Sequence, residues 1–182
     1  MDFEGDIKKE IKQYHLFESV IPKSVCDLVV AEADTYGLNL PESKLATFPY
    51  IHWFSGSLQQ YLNEANVQTR WFFQTNYAEQ LYVNAFGYPT TIIGSADPNR
   101  FIEIGTFFND IQNSQFIRKL TALCQLNETE NMGITIEGVE GEFLTNVGDV
   151  VIFPSFIRYK PNRPKEGKNY IAQSSLMGRP FA

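Results

Sequence analysis

Histidine is almost missing from this chain of 182 residues: two are present, His15 and His52, both in the first third and in neither an HxD nor an HxxxH spacing. That excludes a metal centre built on paired imidazoles in the later part of the chain. Cysteine is as scarce. Cys26 and Cys124 form no CxxC and no Cys/His cluster, so they read as two small buried hydrophobes in a reducing compartment, not as a zinc site or a disulfide framework. Positive charge is in deficit, with 15 Lys and Arg against 21 Asp and Glu and a net charge of -6. A pI near 5.0 leaves no general basic surface to neutralise nucleic-acid phosphates. No apolar run approaches the roughly 20 residues that cross a bilayer, and the opening MDFEGDIKKEIK lacks the apolar core of a signal peptide. The expectation is a protein that is not secreted by a signal peptide and has neither nucleic acid nor membrane as a partner. Internal repeats, low-complexity tracts and linkers are lacking too.

What is present is a hydrophobic fraction of 43% and an aromatic fraction of 14%, which fit a compact β-rich chain. The length suits one domain over residues 1–182, with 1–66 as mostly helical support and 67–182 as the β part. Residues Ile7 to Gln13 suit one or two turns of helix, and HLFESVI a short strand. Pro22 then opens a helix with Val25, Leu28 and Val29 on one stripe, and Gly37 closes it. Residues 38–54 read as irregular. A second helix follows Ser55 or Ser57, because Leu58, Tyr61, Leu62 and Ala65 fall at i, i+3, i+4 and i+7.

From Val67 the period changes to two, in VQTRWFFQT, EQLYVNAF and FIEIGTFF. The intervening GYPTTIIGSADPNR is long for a hairpin and is a candidate functional loop. Ser114 can cap a helix over Phe116, Ile117, Leu120, Leu123 and Cys124, or the same residues can run as a strand. GITIE, EFLTNV, DVVIF and NYIAQSSLM complete about seven strands. Helices first and many short strands afterwards predict an α+β fold whose β part is a jelly-roll-like double sheet.

The last third, GDVVIFPSFIRYKPNRPKEGKNYIAQSSLMG from Gly148 to Gly178, carries a resemblance. Residues 79–178 resemble the prolyl-4-hydroxylase-like branch of the Fe(II)/2-oxoglutarate dioxygenases, whose signature has the form GDxVIFPSFxxHxVxP followed by GxRYSxxxWxxG. Here GDVVIFPSF is followed by Ile157, Arg158 and Tyr159, then by GKNYIAQSSLMG without insertion. LYVNAFGY resembles the family strand before its HxD motif, and IPKSVCDLVVAEA its opening helix. The resemblance implies a double-stranded β-helix (jelly-roll/cupin-like) core buttressed by N-terminal helices. In this register the distal His falls on Tyr159, the HxD near Ser95, Ala96 and Asp97, the basic residue for 2-oxoglutarate on Asn169 and the neighbouring Ser on Ile171. Tyr82 and Asn84 lie on the strand that faces 2-oxoglutarate in relatives. A neutral amide cannot supply the bidentate charged contact of Arg, and Lys168 alternates to the other face. The implied site is degenerate, with no catalytic residue, no metal and no cofactor. An active enzyme would have to hold Fe(II) through Asp97 and a Tyr159 phenolate, and phenol ionises near a pKa of about 10.

Each residue also has a plainer reading. Tyr159 is an aromatic filling the mouth of a vacated pocket, or a ligand; Asp97, before Pro98, is a turn former, or a surviving ligand. Tyr82 and Asn84 pass as ordinary strand residues. Arg158, Lys160, Arg163, Lys165 and Lys168 surround one acid, Glu166. They form a solvated rim, or a contact for an acidic partner or an anionic ligand. Trp71, Phe72, Phe73, Trp53 and Phe54 are core residues unless some face outward. The functional expectation is a non-catalytic structural or protein-binding module that meets a protein partner or assembles with itself. Its appearance, with a YVNAF-like strand, resembles small stand-alone proteins of tailed bacteriophages, which implies a virion or assembly role and a cytoplasmic or virion location. The alternatives are an active dioxygenase, with Fe(II) and 2-oxoglutarate as cofactors, and a binder of anionic small molecules.

Overall fold

In order along the chain, the computed structural model describes residues 12–88, 100–104 and 116–179. They form β1 (His15–Phe17), α1 (Lys23–Thr35), β2 (Leu45–Phe48), α2 (Ser55–Gln68), β3 (Tyr77–Ala78), β4 (Leu81–Phe86), β5 (Ile117–Gln125), β6 (Ile134–Ile136), β7 (Val150–Pro154), β8 (Tyr159–Pro161) and β9 (Asn169–Gly178). Residues 7–11 of the expected first helix, most of the GYPTTIIGSADPNR loop, residues 105–108 of FIEIGTFF and Ser114 lie outside the described residues.

The first helix starts and stops where the sequence places it, whereas the second begins at Ser55 itself, with Phe54 at the cap position, and runs past Val67 to Gln68. Pro22 takes the cap position of α1 with φ -58°. Past its end, Gly37 adopts φ +91°, a left-handed turn open to glycine, and the Leu38 N–H reaches back to the Ala33 carbonyl at 3.2 Å. The buried stripe of α1 is Cys26, Val29 and Ala33. Leu28, expected on that stripe, is 60% exposed. In α2 the buried residues are Ser55, Leu58, Leu62 and Ala65, three of them from the predicted stripe, whose fourth member, Tyr61, is half-buried.

The larger sheet is antiparallel, with strand order β1-β7-β5-β9-β4-β2 and β3 paired to β9. The two halves of the C-terminal stretch, β7 and β9, therefore lie on either side of β5. Residues 117–125 take the strand option because β5 pairs along both edges and is buried on both faces, a setting that suits a continuous apolar run. A second sheet pairs β6 with β8. One core, including Cys26, Leu58, Leu62, Leu81, Val83, Ala122 and Ile152, lies between the larger sheet and the helices. The other, including Phe86, Leu123, Val151, Phe153, Ile171, Ile134, Ile136 and Tyr159, lies between the two sheets.

Among the described residues two expected strands are not formed, and the described part of FIEIGTFF, residues 101–104, contributes a single bridge, Ile102 to Tyr159. VQTRWFFQT begins inside α2, and Arg70 (φ 61°) and Phe72 (φ 50°) then turn left-handed, which no extended strand permits. The Asn66 side chain fills the gap, donating to the Phe73 carbonyl and accepting its N–H, each at 2.9 Å. EFLTNV contributes a single bridge, Ile134 to Phe143.

The GD of the signature has a clear structural use. Gly148 sits at φ +87°, its carbonyl accepts the N–H groups of Val20 and Ile21 at 3.1 Å, and its N–H donates to Gln125 at 2.9 Å. The buried carboxylate of Asp149 accepts the N–H of Ser19 at 2.7 Å and of Asn146 at 3.1 Å. This corner ties the chain after β1 to the ends of β5 and β7. A Cβ at Gly148 would stand 2.1 Å from the Ile21 carbonyl oxygen. Gly148→Ala is therefore expected to lose about 3 kcal/mol or more in urea unfolding, from backbone strain and the parting of Ile21 from the corner.

Candidate functional site

Strand alternation turns one face of the larger sheet towards the small sheet: Tyr82, Asn84 and Phe86 from β4, Asn169, Ile171, Gln173 and Ser175 from β9, Thr121 and Leu123 from β5, Val151 and Phe153 from β7. The resemblance puts its site on this face, and the structure brings Tyr82, Tyr159 and Asn169 to it. Ser95 and Asp97 lie outside the described residues.

Tyr159 comes from β8 and is 1% exposed. Its ring meets Phe86 edge-on at 6.5 Å and Phe153 at 6.2 Å, within the apolar cluster of Leu123, Val151 and Ile171. Burial drives its phenol well above the ordinary tyrosine range, against a smaller pull down from Arg163. At neutral pH it is a protonated phenol packed as an aromatic. Asn169 is fully buried with its amide spent: Oδ1 accepts Gln125 Nε2 at 2.6 Å, and Nδ2 donates to the carbonyls of Gly133 at 3.1 Å and Asn162 at 3.0 Å. It splices the start of β9 to the turns before β6 and after β8.

A charged cluster on the same face has no counterpart in the sequence reading. Glu79, 3% exposed, is gripped by Arg118 through Nε (2.9 and 3.0 Å) and Nη2 (2.6 Å). The Tyr82 hydroxyl donates to the same carboxylate at 3.0 Å, and Arg118 Nη1 donates to the Ile104 carbonyl at 2.9 Å. Burial first, and then Glu79, push the Tyr82 phenol up to about 12. Thr121 Oγ1 lies 2.9 Å from both Ser155 and Ser175 hydroxyls. Between the clusters the half-buried amides of Asn84 and Gln173 meet at 3.3 Å. The only local sign of this cluster was an acid at the entry to the LYVNAF run and a lone Arg in an apolar strand.

The basic segment does not act as one patch. Arg158 forks onto Glu137 at 2.5 and 2.6 Å in solvent. Lys160 lies over the Phe101 ring, 5.3 Å from its centroid. Lys168 donates to three carbonyls, Leu38 at 2.8 Å, Leu40 at 2.5 Å and Ser43 at 2.6 Å, and clamps the turn before β2 to the start of β9. Lys165 is exposed. Arg163 turns inward instead, its guanidinium 5.3 Å from the Phe86 centroid and its Nη1 donating to the Gly87 carbonyl at 3.2 Å. Among the aromatics held in question, Trp53 and Phe72 are exposed and Phe54 is buried, while Trp71 and Phe73 stack half-buried at 6.4 Å.

An Fe(II) centre of the family type needs two imidazoles and a carboxylate on one face. Among the described residues no group of three His, Cys, Asp or Glu side chains could hold a metal ion. His52 is committed elsewhere: Nε2 lies 2.9 Å from Glu32 and Nδ1 accepts the Phe54 N–H at 3.1 Å. His15 is on β1, edge-on to Phe17 at 4.6 Å. The described residues do not fit iron. No helix among them is long and apolar enough to cross a membrane.

No protein-family model matches the chain, and no curated protein matches it. Solved structures do. The chain is similar to a viral collagen prolyl hydroxylase of Paramecium Bursaria Chlorella virus-1, solved as a 2OG complex, at 16% identity and a TM-score of 0.66, covering 92% of this chain and 97% of that one. A Pseudomonas putida prolyl-4-hydroxylase matches at 16% identity and 0.56, covering 93% and 94%. A Trichoplax adhaerens prolyl hydroxylase, in complex with a hypoxia inducible factor peptide fragment, matches at 11% and 0.52, covering 97% and 93%. At these identities the likeness shows the fold: a mostly antiparallel sheet with two helices, of the prolyl-hydroxylase-like 2-oxoglutarate-oxygenase type. The expectation of a chain without any cofactor is corrected here. The structures it resembles are prolyl hydroxylases, one of them solved as a 2OG complex, and that likeness overturns the expectation.

Two outcomes follow for the tyrosines. Tyr159→Ala is expected to cost about 3–5 kcal/mol and Tyr159→Phe about 1 kcal/mol or less, because the ring fills the cluster; urea unfolding of both variants checks this. The folded-state phenols of Tyr82, Tyr159 and Tyr170 are all raised above their unfolded value, so their stabilisation is present below about pH 10 and is lost as pH rises through about 12, where Tyr82 ionises. An alkaline difference-absorbance titration of the folded protein should show a late-ionising group of tyrosines that joins the rest in urea.

Proposed function

We propose that this chain uses the prolyl-hydroxylase type of fold, closed as a double-stranded β-helix, to bind a small anionic ligand without hydroxylating a substrate. The observation that carries the reading is Tyr159. Where the resemblance requires an imidazole, a protonated phenol is packed against Phe86 and Phe153 inside an apolar cluster, and a buried neutral phenol neither replaces that nitrogen donor nor leaves it room. The face beside it is nevertheless not filled by apolar side chains alone. Asn84, Gln173 and Tyr82 stay half-buried on the same face, and Arg163 brings a positive charge to its edge. The ligand class that suits such a lining is a short dicarboxylate of the 2-oxoglutarate kind, a choice supported by the neighbouring structure solved with 2OG.

The reading separates binding from turnover. 2-Oxoglutarate should raise the melting temperature in a saturable way, whereas incubation with Fe(II), ascorbate, oxygen and proline-containing peptides should release no succinate above the no-protein background. Succinate release that tracks protein concentration would establish the dioxygenase instead.

A further inference from the structure

We infer that Arg163 is the residue that receives the ligand's carboxylate, from a position on the β8–β9 connection and not from the β9 position that Asn169 occupies. The inference rests on the ligand-binding reading above and adds the identity of its anchor. The comparison that carries it lies within the molecule. Arg118 and Arg158 each present Nε and Nη2 side by side to a carboxylate, Glu79 in one case and Glu137 in the other. That paired edge of a guanidinium matches the two oxygens of a carboxylate. Arg163 has used Nη1, on the Gly87 carbonyl, and this leaves the equivalent edge facing no acid among the described residues. Its Nε is buried and has no hydrogen-bond partner.

A half-buried guanidinium with an unmet N–H is costly unless something answers it. The Phe86 ring face answers part of the charge. Among the described residues no carboxylate answers the rest, and Tyr159, the other polar group beside it, stays a neutral phenol. The missing group is therefore an anion, and its geometry is planar with two acceptor oxygens. Moving two residues along β4 from Phe86, roughly 7 Å, reaches Asn84, whose amide is paired with Gln173 alone. One carboxylate on Arg163 and a second polar end at Asn84 and Gln173 describe a short dicarboxylate. The remaining cations of the segment are poorer anchors: Arg158 already grips Glu137, Lys160 covers Phe101, Lys168 is enclosed by three carbonyls, and Lys165 stands exposed in solvent.

Titration calorimetry and thermal shift with 2-oxoglutarate, succinate and dimethyl succinate test it. Wild-type protein should bind both acids and ignore the neutral ester. Arg163→Gln should weaken both by at least about tenfold, the factor of one lost charge-assisted pair, while Arg163→Lys should retain part of the affinity through a single contact. Lys165→Gln should bind as wild type. Without ligand, Arg163→Gln should melt close to wild type, because the Gly87 bond and Phe86 contact it loses are offset by removing a buried unmet N–H and a charge that no carboxylate among the described residues meets; a structural arginine would instead lower the melting point markedly in the same measurement. Undiminished binding by Arg163→Gln would overturn the assignment and leave the binding reading in place. Absence of binding to wild type would overturn both, and Arg163-dependent binding accompanied by succinate release would overturn only the absence of turnover.

Discussion

Strand β5 is the constraint from which the rest of the molecule takes its positions. It is hydrogen-bonded to β7 along one edge and β9 along the other, and it is packed on both faces, by the helices on one side and by the small sheet's residues on the other. A slip of one residue would turn Leu123 towards the helices and Ala122 towards Tyr159, so the register admits one solution. The polar residues on this strand follow from that. Thr121 finds the hydroxyls of Ser155 and Ser175 because its neighbours are fixed opposite it. The irregularity between Arg118 and Leu120 then ends the regular pairing and turns Arg118 to the Tyr82 face, where it meets Glu79.

The face between the sheets thus combines two kinds of order. Around Tyr159 it is closed by aromatic and branched side chains, which is stable and chemically quiet. Towards Glu79 it is polar, with buried groups held by named partners. Asn169 belongs to the second kind: its amide serves the backbone of two turns, and a longer basic side chain at that position would lose those three bonds.

Much of the scaffold could be read from residue order because its causes are local. Pro22 and Gly37 mark α1, the i, i+3, i+4, i+7 spacing marks α2, and GDVVIF marks a glycine corner followed by a strand buried on both faces. What local pattern could not show are the outcomes decided across the chain. Leu28 fits the helical stripe yet faces solvent, because Cys26, Val29 and Ala33 already fill the space beneath α1. VQTRWFFQT has strand composition, but α2 runs into it and Asn66 takes up its backbone bonds. Lys168 and Lys165 look alike in sequence, whereas one is surrounded by carbonyls from a loop some 130 positions away. The Glu79–Arg118 pair spans 39 positions and leaves no periodic trace. Nor could residue matching decide the cofactor, because a signature that departs at Tyr159, Asn169, Ile171 and further positions still accompanies the same type of fold.

The outermost strands of the larger sheet, β1 and β2, are three and four residues long, and Pro49 follows β2 directly. A peptide arriving at either border therefore finds a ladder too brief to template a new strand, and at β2 the next residue has no amide hydrogen to offer. Among the described residues, edge-to-edge growth is thus discouraged by truncation rather than by charge, while several aromatic rings stay exposed.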